Sequence, residues 1–404
     1  MKVKRKLPEG WKWASLGDNS ILTIIMGQSP PGETYNKDHK GLPFFQGCAD
    51  FGSLYPDPTV WCSAPQRIAE PNDILISVRA PVGPTNIAKE RCCVGRGLVA
   101  IRCKEGLSYK YLLLVLRNFE KKISSGGAGS IFDAIGKDEI KAIKFPLPPT
   151  LKDQIAIANE LEQKMTEVEK MRKAVHRQKE TIATVREAFL REAFPYKEEG
   201  KLPGGWKWEK LNRISNNIQY GISRESTANK VGPQLLRITD IQNGKVNWNN
   251  VPFCECDSNE ENLYLLEDGD IVFVRTGATT GKSFLLKNPK HSLFASYLIR
   301  VQCNRNLVQP DYLYIFFQSP LYWNYINRGA RGGTLAGFNA SMLSSMNIPV
   351  PPTLDDQIAI ADGLKRKMVQ VEKVQQATDR QLGAVEALPG AILREVFDFE
   401  EEKK

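Results

Sequence analysis

A stretch of 49 residues occurs twice, and that duplication constrains the chain more than any other feature. Pro146 to Phe194 reads PLPPTLKDQIAIANELEQKMTEVEKMRKAVHRQKETIATVREAFLREAF, and Pro349 to Phe397 repeats it 203 residues later without a gap, identical at 25 positions. Each copy opens on a proline-ended strand signal followed by Thr150-Leu151-Lys152-Asp153 or Thr353-Leu354-Asp355-Asp356. The threonine of each is placed to cap the unpaired N–H groups of a helix start.

A long helix is predicted after each cap. In the first copy Leu161, Met165, Val168 and Val175, then Ile182, Val185 and Phe189, recur at spacings of three, four and seven, the signature of a narrow apolar seam. Leu364, Met368, Val371, Val385, Leu388 and Ile392 hold the equivalent places in the second copy. Two such seams can zip together as an antiparallel coiled coil. A helix from Asp153 to Phe194 is about 60 Å long at 1.5 Å per residue, longer than a body of the size that precedes each copy. A strut between bodies fits that length better than a helix lying on one body's core.

The repeat extends further back. Leu7-Pro8-Glu9-Gly10-Trp11-Lys12-Trp13 opens the first half and Leu202-Pro203-Gly204-Gly205-Trp206-Lys207-Trp208 the second. The unit duplicated is therefore a whole module: a tryptophan-bearing entry, a globular body, then the strut. The expected division is 1–145 and 201–345 for the bodies, 146–200 for the central helical spacer, and 346–404 for the distal spacer and tail. The predicted fold class is α+β, two pseudo-repeated α/β bodies separated by two long helices.

Charge divides along the same lines. The net +9 resides in the bodies, with 21 Lys and Arg against 14 Asp and Glu in 1–145 and 16 against 11 in 201–345; the helical segments carry 10 against 10 and 8 against 11. Positive charge confined to the bodies is the footprint of a polyanion partner, and it also serves plain solubility or a protein-binding scaffold. The longest aliphatic run, Tyr111 to Leu116, is far too short to span a bilayer. No leader-like apolar stretch follows the basic start, so the cytoplasm is expected. The eight cysteines have no zinc spacing and read as reduced, buried thiols.

Strand signals in the first body run from Leu42 to Gln46, Ile74 to Arg79 and Leu98 to Arg102. Asn72 to Arg79 is matched by Gly269 to Arg275, each a turn feeding a buried strand that ends on an arginine. Such an arginine can clamp a phosphate or a guanine edge, or pair with a carboxylate. Glycine-rich loops follow at Ser124 to Ser130 and Arg328 to Thr334, without the spacing of a P-loop. Gln28 to Cys62 has no recognisable counterpart in Tyr220 to Cys256, as two readers of different sequences would require.

Candidate nucleic-acid contacts are the polar and cationic side chains at these loops and strand ends. In the first body they are Gln28, Ser29, Tyr35, Lys37, Arg79, Arg96 and Ser130. In the second they are Arg224, Arg275, Thr276, Lys282, Arg328 and Arg331. Catalytic chemistry is not legible: there is no cofactor turn with an Asn/Asp-Pro-Pro-aromatic tetrapeptide, no Glu-x-Lys on a strand pattern, and three scattered histidines. In the second strut Pro389-Gly390 replaces Arg186-Glu187, and because proline removes a helix hydrogen bond, a kink or break is expected before Ala391.

The repeated FPLPPTLKDQIAIANEL and IPVPPTLDDQIAIADGL, with GQSPPGETYN, PFFQG, DILISVRAPVG, RITDIQNGKV and GDIVFVRTGATTGKS, resemble the specificity subunits of type I restriction-modification systems over essentially the entire chain. The resemblance implies two target recognition domains that each read one half of a split double-stranded DNA site, with the helices as spacer. It also implies two methylation subunits that use S-adenosylmethionine, and restriction subunits that use ATP and Mg. No cofactor, metal or catalytic residue is expected in this chain. The alternative is a non-catalytic scaffold that binds other proteins through its basic halves.

Overall fold

A computed structural model describes residues 5–125, 134–194, 200–242, 244–329 and 338–400. The four sequence segments group into two units: Met1–His176 with Arg380–Lys404, and Arg177–Asp379. Each unit therefore combines one body, the opening of the helix that follows it, and the end of the other long helix.

In the first unit the chain enters on β1 (Lys12–Ser15) and proceeds through β2 (Leu22–Met26), β3 (Leu42–Phe45), β4 (Ile74–Ser77), β5 (Thr85–Ile87), β6 (Cys92–Val94) and β7 (Leu98–Cys103). The helix α1 (Tyr109–Ser125), strand β8 (Lys144–Leu147) and long helix α2 (Leu151–Ala193) follow. The frame is an antiparallel sheet ordered β2-β7-β4-β5, in which Ala100 faces both Ile25 and Leu75. Alternation along β7 sends Val99 and Ile101 into the core under α1, and Leu98 and Ala100 into a smaller core with Phe45 and Val94. Buried on both faces, the strand reads as an apolar run. Tyr111 to Leu116 is the buried stripe of α1.

The second unit repeats this frame. It runs through β9 (Lys207–Lys210), β10 (Ser215–Tyr220), β11 (Gln234–Leu236), β12 (Ile271–Val274), β13 (Ser283–Leu285), β14 (Ser292–Phe294), β15 (Leu298–Cys303), α3 (Pro310–Phe316), β16 (Asn347–Val350) and α4 (Leu354–Phe397). The sheet order β10-β15-β12-β13 reproduces that of the first unit, as does the pairing of the entry strand with the strand before the long helix. Beyond the frame the units part. The first adds a five-stranded sheet that includes β3 and β6; the second has the parallel pair β11-β14, a two-stranded hairpin and a short helix at Ser258–Tyr264.

Both long helices start as their sequences specify. The Thr150 hydroxyl accepts the Asp153 N–H at 3.1 Å and donates to the Asp153 carboxylate at 2.6 Å; Thr353 and Asp356 do the same at 3.1 and 2.7 Å. The next residue of the motif acts as a buried clamp. Gln154 accepts from Ser108 N–H and donates to the Gly106 carbonyl, while Gln357 accepts from Gln309 N–H and donates to Leu307. One amide thus satisfies two backbone groups on the loop before α1 or α3 and fixes where each long helix leaves its body.

The far ends dock as well. Phe397 of α4 is 1% exposed in the first unit's core, edge-on to Tyr111 at 5.6 Å. Phe194, just past α2, enters the second unit's core against Tyr312 and Phe316. Within the first unit, Leu161 and Met165 share a core with Ile392 and Leu393, while Val168 and Val175 cluster with Val385, Leu382 and Leu388. Early residues of α2 meet late residues of α4, so the pairing there is antiparallel. Within the second unit the sense is the same: Lys179 pairs with Asp379 at 2.8 Å, Lys367 with Glu192 at 2.8 Å, and the Lys367 ammonium lies 4.9 Å from the Phe189 ring centroid.

One seam position departs from the heptad reading. Val185 is 37% exposed, whereas Leu190 is buried and, with Leu364 and Met368, lines a cavity of about 540 Å³. Ile182 and Val371 are half-buried. Of the kink or break expected before Ala391, the break does not occur, since α4 runs unbroken from Leu354 to Phe397 with Pro389 inside. An interior proline costs about 3 kcal/mol; burying Leu393 and Phe397 beyond it returns roughly 1.5–3 kcal/mol each, enough to keep the helix going.

Candidate nucleic-acid interface

Gln28, Ser29, Arg79 and Arg96 in the first unit, and Arg275, Thr276 and Lys282 in the second, lie at the end of each four-stranded sheet where β2 or β10 leaves it. In the first unit, Gly27 N–H donates to the Leu98 carbonyl and Gln28 N–H to Val94. A Cβ on Gly27 would lie 2.1 Å from the Gly95 oxygen, so only glycine fits this close approach. The following residues are thereby held against the β6–β7 turn, where Arg96 N–H donates to the Ser29 hydroxyl at 3.2 Å. Tyr35 donates its hydroxyl to the Pro30 carbonyl at 2.8 Å and stacks on Phe44 at 4.7 Å. Burial pushes the Tyr35 phenol above its ordinary value while the Arg96 charge pulls the other way. Gln28, Ser29, Tyr35 and Arg96 are thus neighbours. Lys37 lies two residues past Tyr35, in a turn organised by the Asn36 side chain.

The second unit holds the same backbone contacts. Gly221 N–H donates to Leu298 and Ile222 N–H to Phe294, and a Cβ on Gly221 would meet the Phe294 oxygen at 2.2 Å. Gly27-Gln28 and Gly221-Ile222 are therefore equivalent, although their sequences share no motif. The only sequence signal is a glycine directly after a strand, in Ile-Ile-Met-Gly and Ile-Gln-Tyr-Gly. The parallel pairings Phe44 with Cys93 and Leu235 with Leu293 are a second correspondence inside stretches that align poorly.

The arginines match less well than expected. Leu98 pairs with Ser77 and Leu298 with Val274, so the structural counterpart of Arg275 is the buried Val78, and Arg79 falls one residue later. Arg79 is exposed beside a bridge to Ala134; Arg275 is exposed and lies over the Tyr220 ring. Thr276 and Lys282 flank the turn after β12 and are exposed. Arg224 pairs with Glu260 of the short helix, the carboxylate alternative open to such a side chain. Among the described residues Lys37, Arg79, Arg96, Arg275 and Lys282 have no ion-pair partner. Ser130 and Arg331 lie outside the described residues; Arg328 falls in the last turn of the helix Pro320–Gly329.

A buried charge supports the sheet in each unit. Asp73 and Asp270 open β4 and β12 and accept the N–H of the residue three before, Glu70 or Glu267. Arg102, beside Asp73 on the adjacent strand, grips it in a bidentate pair at 2.8 Å. In the second unit the arginine sits two residues earlier on the strand, at Arg300, and reaches Asp270 only at 3.7 Å. Burial prevails there and pushes Asp270 up to about 6. Because the folded form binds that proton more tightly than the unfolded chain, the contribution is full below about pH 4 and is lost as pH rises through 6. Wild type is expected to lose roughly 2–3 kcal/mol from this group between pH 4 and 6. Asp270→Asn should flatten that difference in thermal midpoints recorded across the range.

The sequence model described as the type I restriction modification DNA specificity domain matches residues 8–175 and 239–376, one region in each unit. The chain is 26% identical over 427 aligned residues to the type I restriction enzyme EcoKI specificity subunit of Escherichia coli, covering 97% of this chain and 89% of that one. It is 45% identical over 157 residues to the putative type I restriction enzyme MjaX specificity subunit of Methanocaldococcus jannaschii, covering 39% of this chain and 37% of that relative. The crystal structure of the HsdS subunit from Thermoanaerobacter tengcongensis superposes with a TM-score of 0.61 at 18% identity, covering 97% of this chain and 98% of that one, and so shares the fold. With the family model matched over more than half its length, once in each of two frames built alike, this chain belongs to the type I restriction-modification DNA specificity family.

Proposed function

We propose that this chain is the DNA sequence-recognition subunit of a type I restriction-modification complex, working in the cytoplasm. Each unit reads one half of a bipartite duplex target, and the two long helices pair as an antiparallel coiled coil whose length sets the unread gap. The observation that carries the reading is the combination of a duplicated frame with unlike outer faces. The four-stranded sheet, the glycine close approach and the buried glutamine clamp recur, whereas the added sheet of one unit and the hairpin and short helix of the other do not. A chain reading two different sequences needs that division.

The chain itself contributes binding and no catalysis. Two methylation subunits, using S-adenosylmethionine, and restriction subunits, using ATP and Mg, supply the chemistry. The exposed cations Lys37, Arg79, Arg96 and Lys282 provide contacts to phosphate, which give most of the affinity, and base edges give the discrimination. DNA affinity is therefore expected to fall steeply with salt, with a slope of about −0.9 in log–log terms per phosphate contacted. A gel-shift titration of the chain with its methylation subunits across salt concentrations tests this. Affinity indifferent to salt and to DNA would leave the protein-binding scaffold standing instead.

A further inference from the structure

One corner of the sheet differs chemically between the units, and the pairing registers define it. Val99 faces Met26 and Ile299 faces Tyr220; Val78 N–H donates to Gly97 and Arg275 N–H to Tyr297. The corner formed by Met26, Val78 and Gly97 in the first unit is thus Tyr220, Arg275 and Tyr297 in the second. In the first unit it is closed: Val78 is buried, and a Cβ on Gly97 would lie 2.3 Å from the Gln46 carbonyl, so no side chain can project there. In the second unit it is open. Tyr297 sits in the tight turn leading into β15 and is 61% exposed, and Arg275 is exposed beside it.

The guanidinium is oriented rather than loose. Its carbon lies 4.7 Å from the Tyr220 ring centroid, and the Tyr220 hydroxyl is itself fixed by accepting the Ala340 N–H at 3.1 Å. The ring braces the guanidinium from one side, and among the described residues no carboxylate pairs with it. A pre-oriented guanidinium fork matches the two acceptors that guanine shows in the major groove, N7 and O6.

We infer that Arg275, braced by Tyr220, is a specificity-determining residue that reads a guanine in the half-site of the second unit, and that the first unit has no counterpart to this contact. The inference rests on the proposed DNA-reading function and adds a base and an asymmetry to it.

The test is selection from random-sequence duplexes by the full chain co-purified with its methylation subunits, as wild type and as Arg275→Lys and Arg275→Ala. Both changes are at an exposed side chain, and the unaltered half of the motif reports that each variant is folded. Wild type is expected to enrich a two-part motif with a fixed guanine in one part. Each variant should lose preference at that position alone, with roughly tenfold or greater weakening on the wild-type sequence. Lysine keeps the charge but not the fork, so it should fail like alanine. A guanine preference that survives in the arginine variants, or lysine restoring binding uniformly to all sequences as a phosphate contact would, overturns the inference while leaving the two-part motif intact. The absence of any enriched motif with wild type would instead remove the underlying reading.

Discussion

Phe397→Ala is expected to destabilise the first unit by about 3–5 kcal/mol, and Phe194→Ala the second by a similar amount. Each ring is the end of a long helix buried in a body that its own helix start does not belong to. Phe397 packs edge-on to Tyr111 at 5.6 Å, and Phe194 packs on Tyr312 and Phe316 at 5.7 and 5.5 Å. Truncation to alanine removes the transfer energy of the ring and leaves a cavity that helix and sheet cannot collapse around. Hydrogen exchange localises the effect: Phe397→Ala should speed exchange in α1 and β8, and Phe194→Ala in α3 and β16. Val374→Ala, at a position 53% exposed, should cost less than about 0.5 kcal/mol and serves as the control. Losses of similar size at all three positions would mean that the helix ends are not anchors.

Removing Lys173–Lys179 from the first helix together with Asp379–Val385 from the second is expected to weaken binding to the wild-type target by about 100- to 10,000-fold, the range lost when two linked sites can no longer engage together. The deletions are chosen from the packing. They excise the Val175–Val385 contact and the Lys179–Asp379 pair as matched seven-residue segments, so the apolar seams on either side stay in phase. Each rod shortens by about 10 Å at 1.5 Å per residue. Neither body loses a residue that touches its core, so the contacts within each half-site are expected to survive.

Much of the frame was legible in the sequence because the signals were local. Thr150 and Thr353 announce helix starts through capping chemistry, and the strands at Ile74, Leu98 and Leu42 announce themselves as apolar runs between turn residues. The seam at Leu161, Val168 and Val175 follows from its spacing. The same arithmetic fails further along at Val185, because a straight helix drifts by roughly 20° per heptad from a 3.5-residue repeat. Over a 43-residue helix that drift carries the buried side toward Leu190 and Phe194.

Other features depend on partners remote in the chain, which no local pattern reveals. The Arg224 side chain is taken by Glu260, 36 residues away, and the Gln154 clamp closes on a loop 46 residues earlier. The equivalence of Gly27 and Gly221 lies in what their backbones touch, not in what surrounds them in sequence. Pro389 does not break the helix because the penalty of its missing hydrogen bond is set against a tertiary anchor, Phe397, whose depth of burial the sequence does not state. The offset between Arg79 and Arg275 is a matter of a single residue in strand register, and register emerges only once the sheet is paired.

The claim that two reading bodies are held at a fixed separation by paired helices is tested most directly by selecting targets from random duplexes with wild type and with the matched deletion. The account predicts the same two half-sites from both chains, with the gap between them about three base pairs shorter for the deletion, since 10 Å corresponds to roughly three steps of 3.4 Å. Altered half-sites with an unchanged gap would contradict it.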